Sequence, residues 1–240
     1  MLVAFLISNR TTRDIYRTMS KKRPAGGEND KLPKRAASGW MMSLISAIQD
    51  PRLHIYSDSQ VVVIRDKFPK SRHHYLMLPR CAIDTLTDLT SAHIPLVEHM
   101  IEQGKQFTAG HITPRTRNSV RCGFHMIPSV KQLHMHIISQ DFDSECLKHK
   151  KHWNSFASEF FMEADTVLGM LKGEEKILVD KNRGEQLLKL DLKCHVCHVK
   201  LPTIPKLKDH IRTHDKDRGA DGKLQEKKIE ILTLDTERVA

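Results

Sequence analysis

The stretch KQLHMHIISQDFDS, residues 131–144, sets two histidines two positions apart inside an otherwise apolar run. Alternate side chains of a β-strand share a face. A strand over 132–139 would therefore turn Leu133, Met135 and Ile137 one way and Gln132, His134 and His136 the other. The first set is built for a core and the second offers imidazoles to whatever lies outside. On spacing alone, a catalytic pair, a metal-binding pair and a half-exposed strand all fit.

Working outward, SVRCGFHMIP (119–128) precedes this run and reads as its antiparallel partner across a turn at Pro128-Ser129. VVVIRD (61–66) and HYLMLP (74–79) are further β-rich runs, joined by KFPKSRH. GWMMSLISAIQDP opens with a short apolar helix that Pro51 stops. From Asp84 to Phe107 apolar residues recur at helical spacing, and Pro95 divides the run into two helices or one kinked one. A helix over 154–171 follows, with Phe156, Phe160 and Val167 on one face. Strands and helices mixed without βαβ alternation predict an α+β fold around an antiparallel sheet.

Of the 240 residues, 39 are Lys or Arg and 29 Asp or Glu, a net charge of +10. With a pI near 9.4, that balance favours a polyanionic partner, nucleic acid or an anionic membrane surface. No apolar stretch approaches the roughly 18–20 residues that span a bilayer. The opening MLVAFLI lacks the basic start and cleavage site of a secretory signal. Five cysteines, an odd number, suit a reducing compartment. Residues 1–38 are rich in Gly, Pro and charge and are expected to be disordered, as is a charged tail over 217–240. The clusters Lys21-Lys22-Arg23 and Lys34-Arg35 have the layout of a bipartite nuclear-import signal, and equally of a solvated linker.

Neutral imidazole attacks phosphorus well near neutral pH, leaving a phosphoramidate that water can cleave. Ser129 is placed to offer a hydroxyl to a phosphate, and Asp66 could accept hydrogen bonds from a ribose diol. PSV followed by QLHMHIIS resembles the HφHφHφφ motif (φ apolar) of the histidine-triad family of nucleotide hydrolases and transferases. The resemblance makes His134 the nucleophile toward a nucleotide α-phosphate, His136 the third triad histidine and Asp66 the ribose acid. Gln132 departs from the pattern, standing where the first triad histidine is expected.

QDPRLHIYSDSQVVVIRDKFPKSRHHYLMLPR (49–80), GFHMIPSV (123–130) and HIISQDFDSECLKHKKHWNSF (136–156) narrow the likeness to the family's DNA-adenylate hydrolases, over roughly 40–214. These remove AMP left on a DNA 5′-phosphate after abortive ligation. The resemblance implies Lys70 near the phosphates and His74 assisting the leaving group. It also implies nucleotide contacts from Ser129 and Gln132, and DNA contacts from Arg80, His125, Asp143, Ser144 and Lys151. Partners would be nicked DNA bearing 5′-AMP, AMP as product, and other repair proteins, in the nucleus. A forkhead-associated domain often precedes this arrangement; with about 38 residues ahead of the catalytic part, a form without it is expected. A monomer is expected too, with the finger taking the place of a second subunit.

That finger is legible by itself. In CHVCHVKLPTIPKLKDHIRTH, Cys194-x2-Cys197 is followed after twelve residues by His210-x3-His214. Two thiolates and two imidazoles at this spacing suit a closed tetrahedral zinc site in a ββα finger. His195 and His198 fall outside the ligand register. Lys200, Lys206, Lys208 and Arg212 supply phosphate contacts without a sequence code. The expected organisation is a triad domain over 39–190 and a finger over 191–216.

Overall fold

The computed structural model describes residues 44–113, 120–174 and 176–214. The import clusters and the two terminal segments, 1–38 and 217–240, on which those expectations fell lie outside the described residues.

Six strands form one antiparallel sheet: β1 (Tyr56–Ser57), β2 (Val61–Arg65), β3 (His74–Pro79), β4 (Val120–His125), β5 (Met135–Ser139) and β6 (Phe161–Glu163). Their spatial order is β1-β2-β3-β5-β4-β6. β5 therefore sits between β3 and β4, with Leu76 opposite His136, His74 opposite Ile138 and Gly123 opposite His136. This register brings His74 of β3 and His136 of β5 onto one face.

Alternation along the central strands sorts their side chains between two cores. Tyr75, Met77, Met135 and Ile137 face helices α2 (Ile94–His111) and α4 (Ala164–Glu174). Val97, Met100, Ile101 and Phe107 form the buried stripe of α2 at the i, i+3, i+4 spacing of one helical face. On the opposite face Leu76, Leu78, Val62 and Ile64 pack against Leu44, Ala47 and Ile48 of α1 (44–49). Further along this face lie the histidines, and beyond them the finger.

Three element boundaries differ from the sequence reading. Residues 84–93 form two 3-10 turns, and Pro95 starts α2 instead of kinking it. The first turn of a helix has no use for the missing amide, so proline fits there. The expected helix over 154–171 is two helices, α3 (Lys150–Ala157) and α4, with β6 between them. Ser158 breaks the run with extended backbone, its hydroxyl donating to the carbonyl of Asn154. β5 begins at Met135, not Gln132; Gln132 has a left-handed φ of 79°, incompatible with a continuing strand.

After α5 (Lys181–Leu187) the chain enters the finger, whose helix α6 spans 204–214 with Pro205 in its first turn. The finger's hairpin is reduced to one bridge, Lys193 to Lys200. Ile204, Leu207 and Ile211 of α6 join Phe142, Leu147, Trp153 and Phe156 in one continuous apolar core. Trp153 is central to it: its ring is 4.8 Å from that of Phe142 and its Nε1 donates to the carbonyl of Lys193 at 3.0 Å. No helix among the described residues is long and apolar enough to cross a membrane.

Candidate active site

A cavity of about 540 Å3 opens over the histidine face of the sheet. Asp66, Lys70, His74, His125, Ser129, His134, His136 and Lys151 all line it. Its apolar wall includes Leu76, Ile127, Val130 and Phe156.

The protons on this face can be placed by following the hydrogen bonds. His134 lies just ahead of β5, and its Nδ1 is 2.8 Å from the carbonyl of Gln132. A carbonyl can only accept, so Nδ1 carries the proton and the Nε2 lone pair remains for attack. His74 sits at the start of β3, where its Nδ1 accepts from the backbone N–H of Lys70 at 3.0 Å. Neutral His74 therefore holds its proton on Nε2, 2.9 Å from His136 Nδ1. That donation leaves the His136 proton on Nε2, a buried atom with no hydrogen-bond partner within the protein. His125 Nε2 is orphaned in the same way, its ring 4.3 Å from that of His136. Such atoms are costly to bury unless a ligand completes them.

Burial is the main cause of every resolved pKa shift among these imidazoles. It lowers His74 to about 4, places His125 and His136 well below the ordinary imidazole range, and lowers His134. The tautomer chain is thus one of neutral rings. Burial likewise lowers Lys70, partly offset by Asp66. Lys70 Nζ folds back onto the carbonyl of Phe68. Asp66 is anchored by the amide of Phe68 at 2.7 Å and lies 3.6 Å from His74 Nε2. Ligand atoms of Asp66, His74 and His136 come within 4.8 Å of one another, a set that leaves out His134, the other half of the metal-binding pair the spacing allowed. The His74–His136 hydrogen bond accounts for the same closeness without an ion.

Four expected site residues stand outside the cavity lining. The Gln132 side chain is buried and its Nε2 donates to the carbonyl of Pro79 at 3.2 Å. Its backbone oxygen accepts from His134 Nδ1. Arg80 donates from Nε to the carbonyl of Asp58, at 2.8 Å. Ser144 donates to the carbonyl of Pro69. The Asp143 carboxylate is held by Arg72 at 2.7 Å and Arg212 at 3.0 Å.

The sequence reading missed other wall residues. His152, lowered by burial to about 4, lines the cavity beside Lys151. Lys181, Glu185 and Leu188 enter from α5 and the residue after it. Gly184 is the signal that could have revealed this wall. A Cβ there would lie 2.6 Å from the Ile127 side-chain tip, so glycine lets α5 lie close against the loop after β4 without the Ile127 side chain having to move.

In the finger, Cys194, Cys197, His210 and His214 converge, all ligand atoms lying within 4.8 Å. Cys194 Sγ is 3.4 Å from His214 Nε2, Cys197 Sγ is 3.1 Å from His210 Nε2, and the two Nε2 atoms are 3.2 Å apart. Zn–S near 2.3 Å and Zn–N near 2.0 Å at tetrahedral angles imply N–N and S–N edges of about 3.3 and 3.5 Å. The residues fit zinc, and the amide of Val196 donates to Cys194 Sγ as a thiolate requires. His195 packs its ring against Phe142 and Trp153 instead of joining the ligand set.

Comparison with known proteins agrees with both halves. A family described as scavenger mRNA decapping enzyme C-term binding matches residues 39–152, and a C2HE / C2H2 / C2HC zinc-binding finger matches 157–217. The chain is 47% identical to aprataxin of Danio rerio across 179 residues, which is 75% of this chain and 55% of that protein. With aprataxin of Gallus gallus it shares 40% identity over 85% of this chain and 63% of that protein. The chain belongs to the aprataxin family. It spans 55% and 63% of the length of those two aprataxins. The crystal structure of the aprataxin ortholog Hnt3 in complex with DNA superposes with a TM-score of 0.65 at 29% identity, covering 76% of this chain and 98% of that one. Hnt3 from Schizosaccharomyces pombe gives 0.62, covering 72% and 90%. Aprataxin likeness thus runs through sheet and finger together.

Proposed function

We propose that this chain is a DNA 5′-adenylate hydrolase that frees AMP from abortive ligation intermediates during strand-break repair. The observation that carries it is His134. Its Nδ1 is tied to a carbonyl, and its Nε2 lone pair opens into a cavity lined by Lys70, Ser129 and the orphaned Nε2–H of His136. Its similarity to an Hnt3–DNA complex and the net charge of +10 support DNA as the polymer.

In this mechanism His134 Nε2 attacks the AMP phosphorus. The N–P bond forms as the phosphoanhydride P–O bond breaks, and 5′-phosphorylated DNA leaves. His136 Nε2–H faces the phosphoryl group, and His74 stands behind it as the partner that fixes its tautomer. Lys70 opposes the negative charge that builds during displacement. Water then cleaves the adenylyl-histidine, releasing AMP and restoring His134. Asp66 binds the ribose and Ser129 a phosphate oxygen. His125, Lys151 and the basic finger hold the DNA. Zinc bound by Cys194, Cys197, His210 and His214 has a structural role, ordering the finger. A nuclear monomer working with other repair proteins is the setting this reading implies.

The test is AMP release from a nicked duplex bearing a 5′-adenylate, run beside free adenosine phosphoramidate, with wild type and His134→Ala. Release from the nick that vanishes in the variant supports the proposal. Release from the small substrate alone would make the chain a nucleotide hydrolase. No release from either would leave a DNA-binding scaffold.

A further inference from the structure

Asp143 occupies an unexpected position for a residue of a DNA-contacting loop. The turn after β5 is shaped by Asp141, whose carboxylate accepts from Ser139 Oγ at 2.7 Å, the Asp143 amide at 2.9 Å and the Arg72 amide at 3.1 Å. Phe142 adopts a left-handed φ of 48°, rare for an aromatic residue. It is fully buried against Trp153, which offsets that strain. The turn thus drives Phe142 into the finger interface and directs Asp143 outward between two guanidinium groups. Arg72 belongs to the catalytic loop between β2 and β3, two residues from Lys70 of the cavity; Arg212 belongs to α6. Lys208 of α6 donates to the neighbouring carbonyl of Ser144.

The pairs are not what holds the finger in place. Arg72 and Arg212 side chains keep 61% and 51% of their exposure, and solvent screening leaves such exposed ion pairs weak. Docking is secured by the apolar core of Phe142, Leu147, Trp153, Leu207 and Ile211. Asp143, whose side chain keeps 29% of its exposure, is a half-buried carboxylate between two exposed guanidinium groups, which can turn to another anion without disturbing the apolar core. Guanidinium forks bind carboxylate and phosphate with the same bidentate geometry.

We infer that Arg72 and Arg212 form a backbone-phosphate site bridging the catalytic loop and the finger, and that Asp143 fills it as an internal stand-in until DNA displaces it. This rests on the reading of the chain as a DNA-adenylate hydrolase. The partner is the phosphodiester backbone beside the adenylated end, bound without regard to base sequence. Asp143 then acts as a positioning residue: it keeps both arginines aimed at one point and sets how strongly undamaged polyanions compete.

The experiment measures affinity for a nicked duplex across a series of KCl concentrations, using the full chain with zinc bound. Asp143→Asn, near-isosteric, is expected to tighten binding severalfold and to steepen the log K against log salt slope by about 1 to 2. Arg72→Gln/Arg212→Gln should weaken binding and flatten the slope. In that double-arginine background Asp143→Asn should no longer tighten binding. Glu159→Gln, which removes a remote exposed acid, is the control for net charge. Unchanged or weaker binding by Asp143→Asn overturns the inference, as does a gain that persists without the two arginines or that Glu159→Gln matches. Wild-type AMP release from the adenylated nick is recorded in parallel. Its absence would sink the parent reading, whereas normal release with unaltered salt slopes would sink this site alone.

Discussion

His134 Nδ1 donates to the backbone carbonyl of Gln132 across 2.8 Å. The nucleophile is thus oriented by a peptide oxygen that any residue at 132 would supply, provided the backbone keeps its left-handed turn. Gln132→Ala should retain AMP release within about tenfold, while losing the bond to Pro79 and about 1 kcal/mol of stability. Gln132→Val, β-branched at a φ of 79°, should be worse on both counts. His134→Ala should lower turnover by several orders of magnitude. Single-turnover kinetics and urea midpoints check all three.

Burial keeps the imidazoles neutral, which fixes the direction of the pH response. The free His134 must be unprotonated to attack, and its pKa lies below 6.5. The acid limb of kcat/KM, which reports the free enzyme, should accordingly fall below pH 6.5. A midpoint above 6.5 would contradict the burial argument.

His74 makes stability pH-dependent in the same window. Unfolded, it takes up a proton near 6.5; folded, it resists down to about 4. Between those values the unfolded chain binds more protons, so stability falls with acidification and the contribution is complete above 6.5. Urea midpoints at pH 7.5, 6.0 and 5.0 should decline in that order, and His74→Gln should flatten the decline.

Trp153 joins finger to sheet, and Trp153→Ala should cost about 3–5 kcal/mol. Trp153→Phe should cost less, losing chiefly the bond to Lys193. Phe156 lies in the same core, with its ring 5.3 Å from His74 and 5.2 Å from His136. Trp153→Ala should consequently also reduce hydrolysis of a small adenylated substrate. Chemical denaturation with a parallel turnover assay measures both effects.

Zinc removal is the matching perturbation from the other side. Chelation should lower the melting temperature and weaken DNA binding far more than small-substrate hydrolysis. Cys197→Ser should reproduce both effects. Equal losses in the two activities would mean the finger supports the cavity more than it holds DNA.

Much of the site could be read in advance because its signals are local. The period of two placed His136 and Ile137 on opposite faces, and the Cys/His spacing named four ligands that do converge. Signals from packing were harder to see. Nothing in FASEFFMEADTV announces that Ser158 stops one helix and that β6 inserts before the next. The period-3.6 run of Phe156, Phe160 and Val167 masked it. Lys181 and Glu185 gave no local hint of a cavity wall, since only the packing of α5 against the loop after β4, close at Gly184, brings them there.

By itself the sequence determined the chemistry available: which strands carry imidazoles, which residues bind zinc, and how basic the surface is. These follow from residue type and short-range periodicity. Only the tertiary structure decided protonation and partnership. The direction of the hydrogen-bond chain from Lys70 through His74 to His136 depends on strands 62 residues apart meeting in register. The capture of Asp143 by Arg72 and Arg212 needs a loop, a turn and a finger helix to converge. Charge and spacing are written along the chain, but proton position and ion pairing depend on distances that exist only after folding.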